Sequence, residues 1–208
     1  MLLAHAGASL DHVTAFAVSR GPGSFTGLRV GMTAALGFAR ALGRPLYGAT
    51  TLELTARAGG ASPDTWVLLN AHRREVYAQR FAVQPDGSAT PRCEPLVLPP
   101  GEIFSCFEEG PLRIIGDGAD LYRDELEEAA GRRGVALDEP AIAAPLARGW
   151  QRAPAPSFLA GELALLASVW LAEARATEPL EPCYVRPSEA EINLKLGRIG
   201  QPGQGGGR

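Results

Sequence analysis

The sequence predicts an α/β protein in two lobes, and three observations carry that prediction. Strand and helix patterns alternate before Gly59, a three-strand meander gives way to renewed alternation beyond it, and a cluster of chain breakers separates the two regions. With 208 residues, 46% hydrophobic and 21% charged, the chain can bury a substantial core. A free peptide, a coiled coil and wholesale disorder are excluded.

Residues 13–19 are β-rich and closed by Arg20-Gly21-Pro22-Gly23, which reads as a buried strand entering a turn. Ser24 can cap a helix over 25–42, with Leu28, Met32, Leu36 and Ala39 at helical spacing and Gly43 and Pro45 ending it. Residues 45–49 make a second strand, and Thr50 to Glu53 has the Thr-x-x-Glu spacing that opens a helix running to 58. The breakers at 59–64 are the expected hinge. The division is therefore an N-terminal lobe at 1–62, a C-terminal lobe at 63–198 and a disordered Gly-rich tail at 199–208.

In the second lobe, strands at 66–71, 75–83 and 93–98 form the meander, joined by turns at His72-Arg73-Arg74 and Pro85-Asp86-Gly87-Ser88. A helix at 101–109, a strand at 112–115 and a helix at 121–133 follow. A Pro-rich connection at 140–156 leads to an amphipathic helix at 157–174. A meander followed by alternating elements is the layout of one lobe of the ribonuclease H-like fold. The second lobe has it in full, whereas the first begins where its first helix should end.

Lys and Arg number 20 against 23 Asp and Glu, a net charge of −3, so no global basic field draws the chain onto nucleic acid. Cys93, Cys106 and Cys183 lack CxxC spacing and are odd in number, which fits a reducing cytoplasm. Residues 1–8 lack the basic start of a signal peptide, and the longest apolar run, 163–172, is about half of a membrane span. A cytoplasmic protein is expected.

The loop from Arg20 to Gly27 precedes a helix N-terminus, where an anion is favoured. A Walker A loop needs Gly-Lys-Ser/Thr, and here Gly27 is followed by Leu28-Arg29. Ser24 also fails the GxSxG pattern and is read as a cap, with Gly21, Pro22, Gly23 and Ser24 forming a structural loop. Gly27, Gly31 and Ala35 recur every fourth residue as a small-residue stripe. Such a stripe admits close approach either of the lobe's own sheet or of a partner helix; the second reading makes these three residues a partner interface. His72-Arg73-Arg74 reads as a solvated turn, His5 and His12 lack metal spacing, and Asp117, Asp120, Asp124 and Glu125 suit a helix N-terminus. No catalytic residue, metal site or cofactor is expected.

The run from Arg20 to Gly31, the segment from Gly43 to Glu53, Asn70-Ala-His-Arg-Arg-Glu-Val-Tyr77 and Glu181-Pro-Cys-Tyr-Val-Arg186 together resemble the TsaB (YeaZ) family of bacterial tRNA threonylcarbamoyladenosine biosynthesis proteins. The resemblance covers nearly the whole chain. It implies the two-lobed, actin-like ATPase (ASKHA) fold shared with the catalytic paralogue TsaD. It also implies a non-catalytic scaffold role as TsaD's heterodimer partner in threonylcarbamoyl transfer to adenosine 37 of tRNA, with the ATPase TsaE assisting and tRNA contacted indirectly. A homodimer is the state implied for the chain alone.

Two departures stand out. The family's opening strand with Asp-Thr-Ser or Asp-Thr-Ala is missing, so the first lobe is expected to be truncated, and Asn70 and His72 stand where the family has Asp and Arg. The paralogue's His-x-x-x-His metal pair aligns with Thr51 and Thr55, which cannot replace imidazole. The rival readings are an actin-like phosphotransferase, which needs a phosphate loop and a catalytic Asp, and a glycoprotease-like metallopeptidase, which needs the missing ligands.

Overall fold

The computed structural model describes residues 2–108, 110–139, 146, 149–177 and 179–186. Among these residues the chain is a mixed α/β structure with two sheets. A short helix α1 (Leu2–His5) and a 3-10 turn at Leu10–His12 precede β1 (Phe16–Ser19), α2 (Phe25–Leu42), β2 (Leu46–Ala49) and α3 (Thr51–Ala58). The expected strand at 13–19 is shorter because the preceding turn closes on Val13, whose N–H donates to Leu10 O. β1 and β2 run parallel, from Phe16 opposite Leu46 to Ser19 opposite Ala49, as two strands joined by a crossover helix should.

The larger sheet comprises β3 (Ser62–Asn70), β4 (Val76–Val83), β5 (Ala89–Pro91), β6 (Leu96–Leu98), β7 (Leu112–Ile115), β8 (Leu137–Asp138) and β9 (Trp150–Ala153). Its strand order is β5-β4-β3-β7-β9-β8, with β6 also on β4. The remaining helices are α4 (Pro100–Ser105), α5 (Asp117–Leu121), α6 (Arg123–Arg133) and α7 (Ala160–Ala172). None is long and apolar enough to cross a membrane.

Four expectations are corrected here. The third meander strand, expected at 93–98, shrinks to β6 on Val76–Ala78 and is preceded by an additional strand, β5, on Phe81–Val83, because Pro91 and Pro95 lack donors and the chain leaves the edge between them. The helix expected at 121–133 begins instead at Asp117 and breaks at Tyr122, whose φ −110 and ψ 34 are not helical. The Pro-rich connection contains β9, a buried four-residue strand between β7 and β8. The hinge residues 62–64 already belong to β3. Residues 140–145 and the tail at 199–208 lie outside the described residues.

Three apolar clusters hold the fold. One packs α4, α5 and α6 on one face of the larger sheet around Leu68, Ile114, Leu126 and Trp150. A second places Leu52 and Ala56 of α3 against Val67, Phe81 and Ile115 on the other face. A third joins Tyr47, Ala49 and Leu54 to Leu166, Ala167 and Trp170 of α7. α3 is thus wedged between both sheets, and its alternate apolar positions serve different clusters. Arg113, buried in β7, donates to the carbonyls of Gly59, Gly60 and Ala61 at 2.5, 3.0 and 3.1 Å, which fixes the chain where it passes between the sheets.

Candidate functional site

The first lobe is open on one side. Within the described residues β1 has β2 as its one strand neighbour, and no β1 residue is fully buried. α2 starts at Ser24, whose Oγ accepts from the Gly27 N–H at 3.3 Å, and stops at Gly43, which takes a left-handed φ of 61°. Its eighteen residues bury only Ala39, while Phe25, Val30, Leu36 and Phe38 are 43%, 64%, 40% and 51% exposed. A helix this apolar with so little cover presents contiguous apolar surface.

Gly27, Gly31 and Ala35 lie on this helix, and none is buried. A Cβ built on Gly31 meets nothing within 4 Å, and one on Gly27 touches only Ser24 at 3.4 Å. Neither glycine therefore serves close packing on the lobe's own sheet. Beside it runs an open groove of about 410 Å³ lined by Val18, Ser19, Gly23, Gly27, Gly31 and Leu159. The loop ahead of the helix is tightly built: Gly21 has φ 96°, a Cβ there would lie 2.7 Å from Leu28 Cδ1, and its carbonyl accepts from the Thr51 N–H at 2.7 Å.

On the opposite flank of α2, residues 179–186 return from the end of the chain as a strap. The Arg29 Nε–H donates to the Tyr184 hydroxyl at 3.1 Å, and the Phe25 and Tyr184 rings pack at a tilt with centroids 5.6 Å apart. Further along, Arg186 pairs with Glu75 and donates to the Ala71 carbonyl, tying the strap to the β3–β4 hairpin.

A cleft of about 290 Å³ separates the two sheets and is lined by Thr51, Thr55, Asn70, Tyr77, Asp117 and Leu159, among others. Thr51 and Thr55 both face it. The Thr51 and Ser19 hydroxyls are 2.8 Å apart, and the Thr55 hydroxyl donates to the Thr51 carbonyl at 2.8 Å. Among the described residues no three His, Cys, Asp or Glu side chains converge as metal ligands do. Asn70 caps the hairpin: its Oδ1 accepts from the His72 N–H at 2.8 Å, and its own N–H donates to Asp117 Oδ1 at 3.0 Å. His72, Arg73 and Arg74 then take three successive left-handed conformations, φ 57°, 53° and 60°.

Sequence reasoning treated Asp117 only as helix decoration and gave no role to Gly116. Gly116 has φ 120°, and a Cβ there would lie 2.1 Å from the Leu68 carbonyl oxygen, so α5 starts in backbone contact with β3. The Gly-Asp-Gly run was the available signal. The strap's contacts had none, since their partners lie far apart in the chain.

A family model described as TsaD, tRNA N6-adenosine threonylcarbamoyltransferase, matches residues 1–90. The Escherichia coli tRNA threonylcarbamoyladenosine biosynthesis protein TsaB is 27% identical over 195 residues, covering 91% of this chain and 78% of that protein. YeaZ from Pseudomonas aeruginosa superimposes with a TM-score of 0.63 at 26% identity, over 88% of this chain and 79% of that one. This is a TsaB/YeaZ-like chain. A Mycobacterium tuberculosis relative of uncharacterised function is 44% identical over 79 residues, and there the match spans 38% of this chain but only 36% of the relative. The matches at high identity thus concentrate in a segment, whereas the TsaB and YeaZ likenesses run through both sheets.

Proposed function

We propose that the chain works in the biosynthesis of threonylcarbamoyladenosine in tRNA as a non-catalytic partner of a TsaD-type subunit. The observation that carries the reading is the α2 face, where side chains at Gly27 and Gly31 would meet little or nothing inside the chain and Val30 is exposed. Small residues there let a partner helix approach to backbone contact, and the exposed side chains supply apolar area to bury. The chemistry of the cleft supports the absence of catalysis: Thr51 and Thr55 present hydroxyls already engaged in local hydrogen bonds, at the positions where the resemblance implies a ligand pair in the paralogue.

The fold belonging to this reading is actin-like. The heterodimer with the TsaD-type subunit is the working form, a TsaE-type ATPase joins through that complex, and a homodimer through the same face is the form of the chain alone. Reconstitution tests it: TsaD-type paralogue, threonylcarbamoyl-adenylate and tRNA are combined with and without this chain. Modified adenosine should form only when both proteins are present. Formation by this chain alone overturns the scaffold role, and full activity of the paralogue without it overturns the partnership.

A further inference from the structure

A second site lies where the strap crosses β2, away from the α2 stripe. Its centre is Arg20, at the end of β1. The Arg20 backbone is pinned on both sides, its N–H donating to Ala49 O at 2.8 Å and its carbonyl accepting from the Cys183 N–H at 2.7 Å. Among the described residues its side chain makes no hydrogen bond or ion pair, and its Nε is sealed from solvent without a partner. Leaving a guanidinium edge buried and unbonded is costly, which is why such groups are normally paired.

Beside Arg20, a polar pocket of about 100 Å³ is lined by Arg20, Tyr47, Gly48, Trp170, Arg175 and Leu180, among others. Arg175 is exposed, and its backbone is tied on both sides. Its N–H donates to Trp170 O at 2.9 Å, its carbonyl accepts from the Tyr47 hydroxyl at 3.5 Å, and its guanidinium lies 4.7 Å from the Trp170 ring centroid. Gly48 lets the strap and the Arg20 stem pack directly on β2: a Cβ there would come within 2.6 Å of Leu180 Cδ2 and 2.9 Å of the Arg20 stem. Both arginines act on the same carboxylate, Glu53, whose titration each of them lowers.

We propose that Arg20 and Arg175 form a binding site for a single oxyanion group, a phosphate or a carboxylate. Guanidinium forks match both groups in geometry. The pocket of about 100 Å³ has room for one such group. The group therefore enters as the end of a larger molecule or as a free ion.

The test is calorimetric titration of the full chain with inorganic phosphate and, separately, with acetate at constant ionic strength set by chloride. One-to-one saturable binding of at least one anion is expected. Arg175→Gln should weaken it at least tenfold, Arg175→Lys should recover part of the loss, and Arg92→Gln, an exposed arginine on the larger sheet, should leave it unchanged. Tighter phosphate binding assigns the site to a phosphate ester, and tighter acetate binding assigns it to a carboxylate. Binding of neither anion, or equal losses in Arg175→Gln and Arg92→Gln, overturns the proposal. Arg20→Lys, read by the same titration, decides the matter if Arg175→Gln melts early.

Discussion

Replacing Gly31 with leucine separates folding from partner binding, because the two respond with opposite sign. Inside the chain the new side chain meets open space, since nothing lies within 4 Å of its Cβ position. Exchanging a mid-helix glycine for a good helix former is worth about 0.8–1 kcal/mol, and in a domain of this size that raises Tm by roughly 2–4 °C. At an interface built for close backbone approach the same side chain overpacks. That costs about 1–3 kcal/mol, or roughly five- to more than a hundredfold in Kd. Scanning calorimetry and titration with the TsaD-type subunit give both numbers on one preparation. A fall in Tm with unchanged Kd would refute the reasoning, because it would mean the stripe packs within its own lobe.

Three further outcomes follow from particular residues. Gly116→Ala should lower stability by about 3–5 kcal/mol, the sum of left-handed strain and overpacking, because its Cβ would collide with the Leu68 carbonyl; chemical denaturation measures it, and a loss within error would contradict the contact. Burial raises the Glu53 carboxyl above the ordinary range, more than Arg57, Arg20 and Arg175 lower it. The folded state therefore binds that proton more tightly than the unfolded one, and the burden of Glu53 is present above its folded pKa and fades as pH falls through it to the unfolded value. Glu53→Gln should thus melt higher than the parent at neutral pH and converge with it in acid, and a parallel offset at all pH values would rule this out. Arg74→Gly should relieve one of three successive left-handed residues, φ 60°, for a gain of about 1 kcal/mol seen as a higher Tm; a lower Tm would show that the hairpin tip is not strained.

The boundaries of α2 were legible because local chemistry sets them: Ser24 satisfies a free N–H and Gly43 supplies a left-handed stop. β9 was not, because four residues between Gly149 and Pro154 are too few to show a period, and burial of Trp150 depends on neighbours from β7 and β8. The shortening of the third meander strand was readable in principle from Pro91 and Pro95. For the candidate site, the spacing of Gly27, Gly31 and Ala35 gave the stripe but not its direction, which only the surrounding packing reveals. The meeting of Arg20 and Arg175 at one pocket left no trace in the sequence, since the return of the strap over Gly48 is a tertiary event.

The third apolar cluster has a consequence for the order in which the molecule is made. Tyr47, Ala49 and Leu54 are covered by Leu166, Ala167 and Trp170, so the β1–β2 sheet is roofed by a helix translated well after it. At roughly 5–20 residues per second, the interval from Ala49 to Ala160 lasts about 5–20 s, and throughout it the nascent β1–β2 pair has an open face as well as an open edge. The larger sheet, whose strands β3 to β7 follow one another closely, can assemble during that wait and serve as the surface on which α3 docks. Ribosome-associated chaperones should accordingly dwell on the segment before Gly59, and ribosome profiling with crosslinked chaperone would record their release only as α7 emerges.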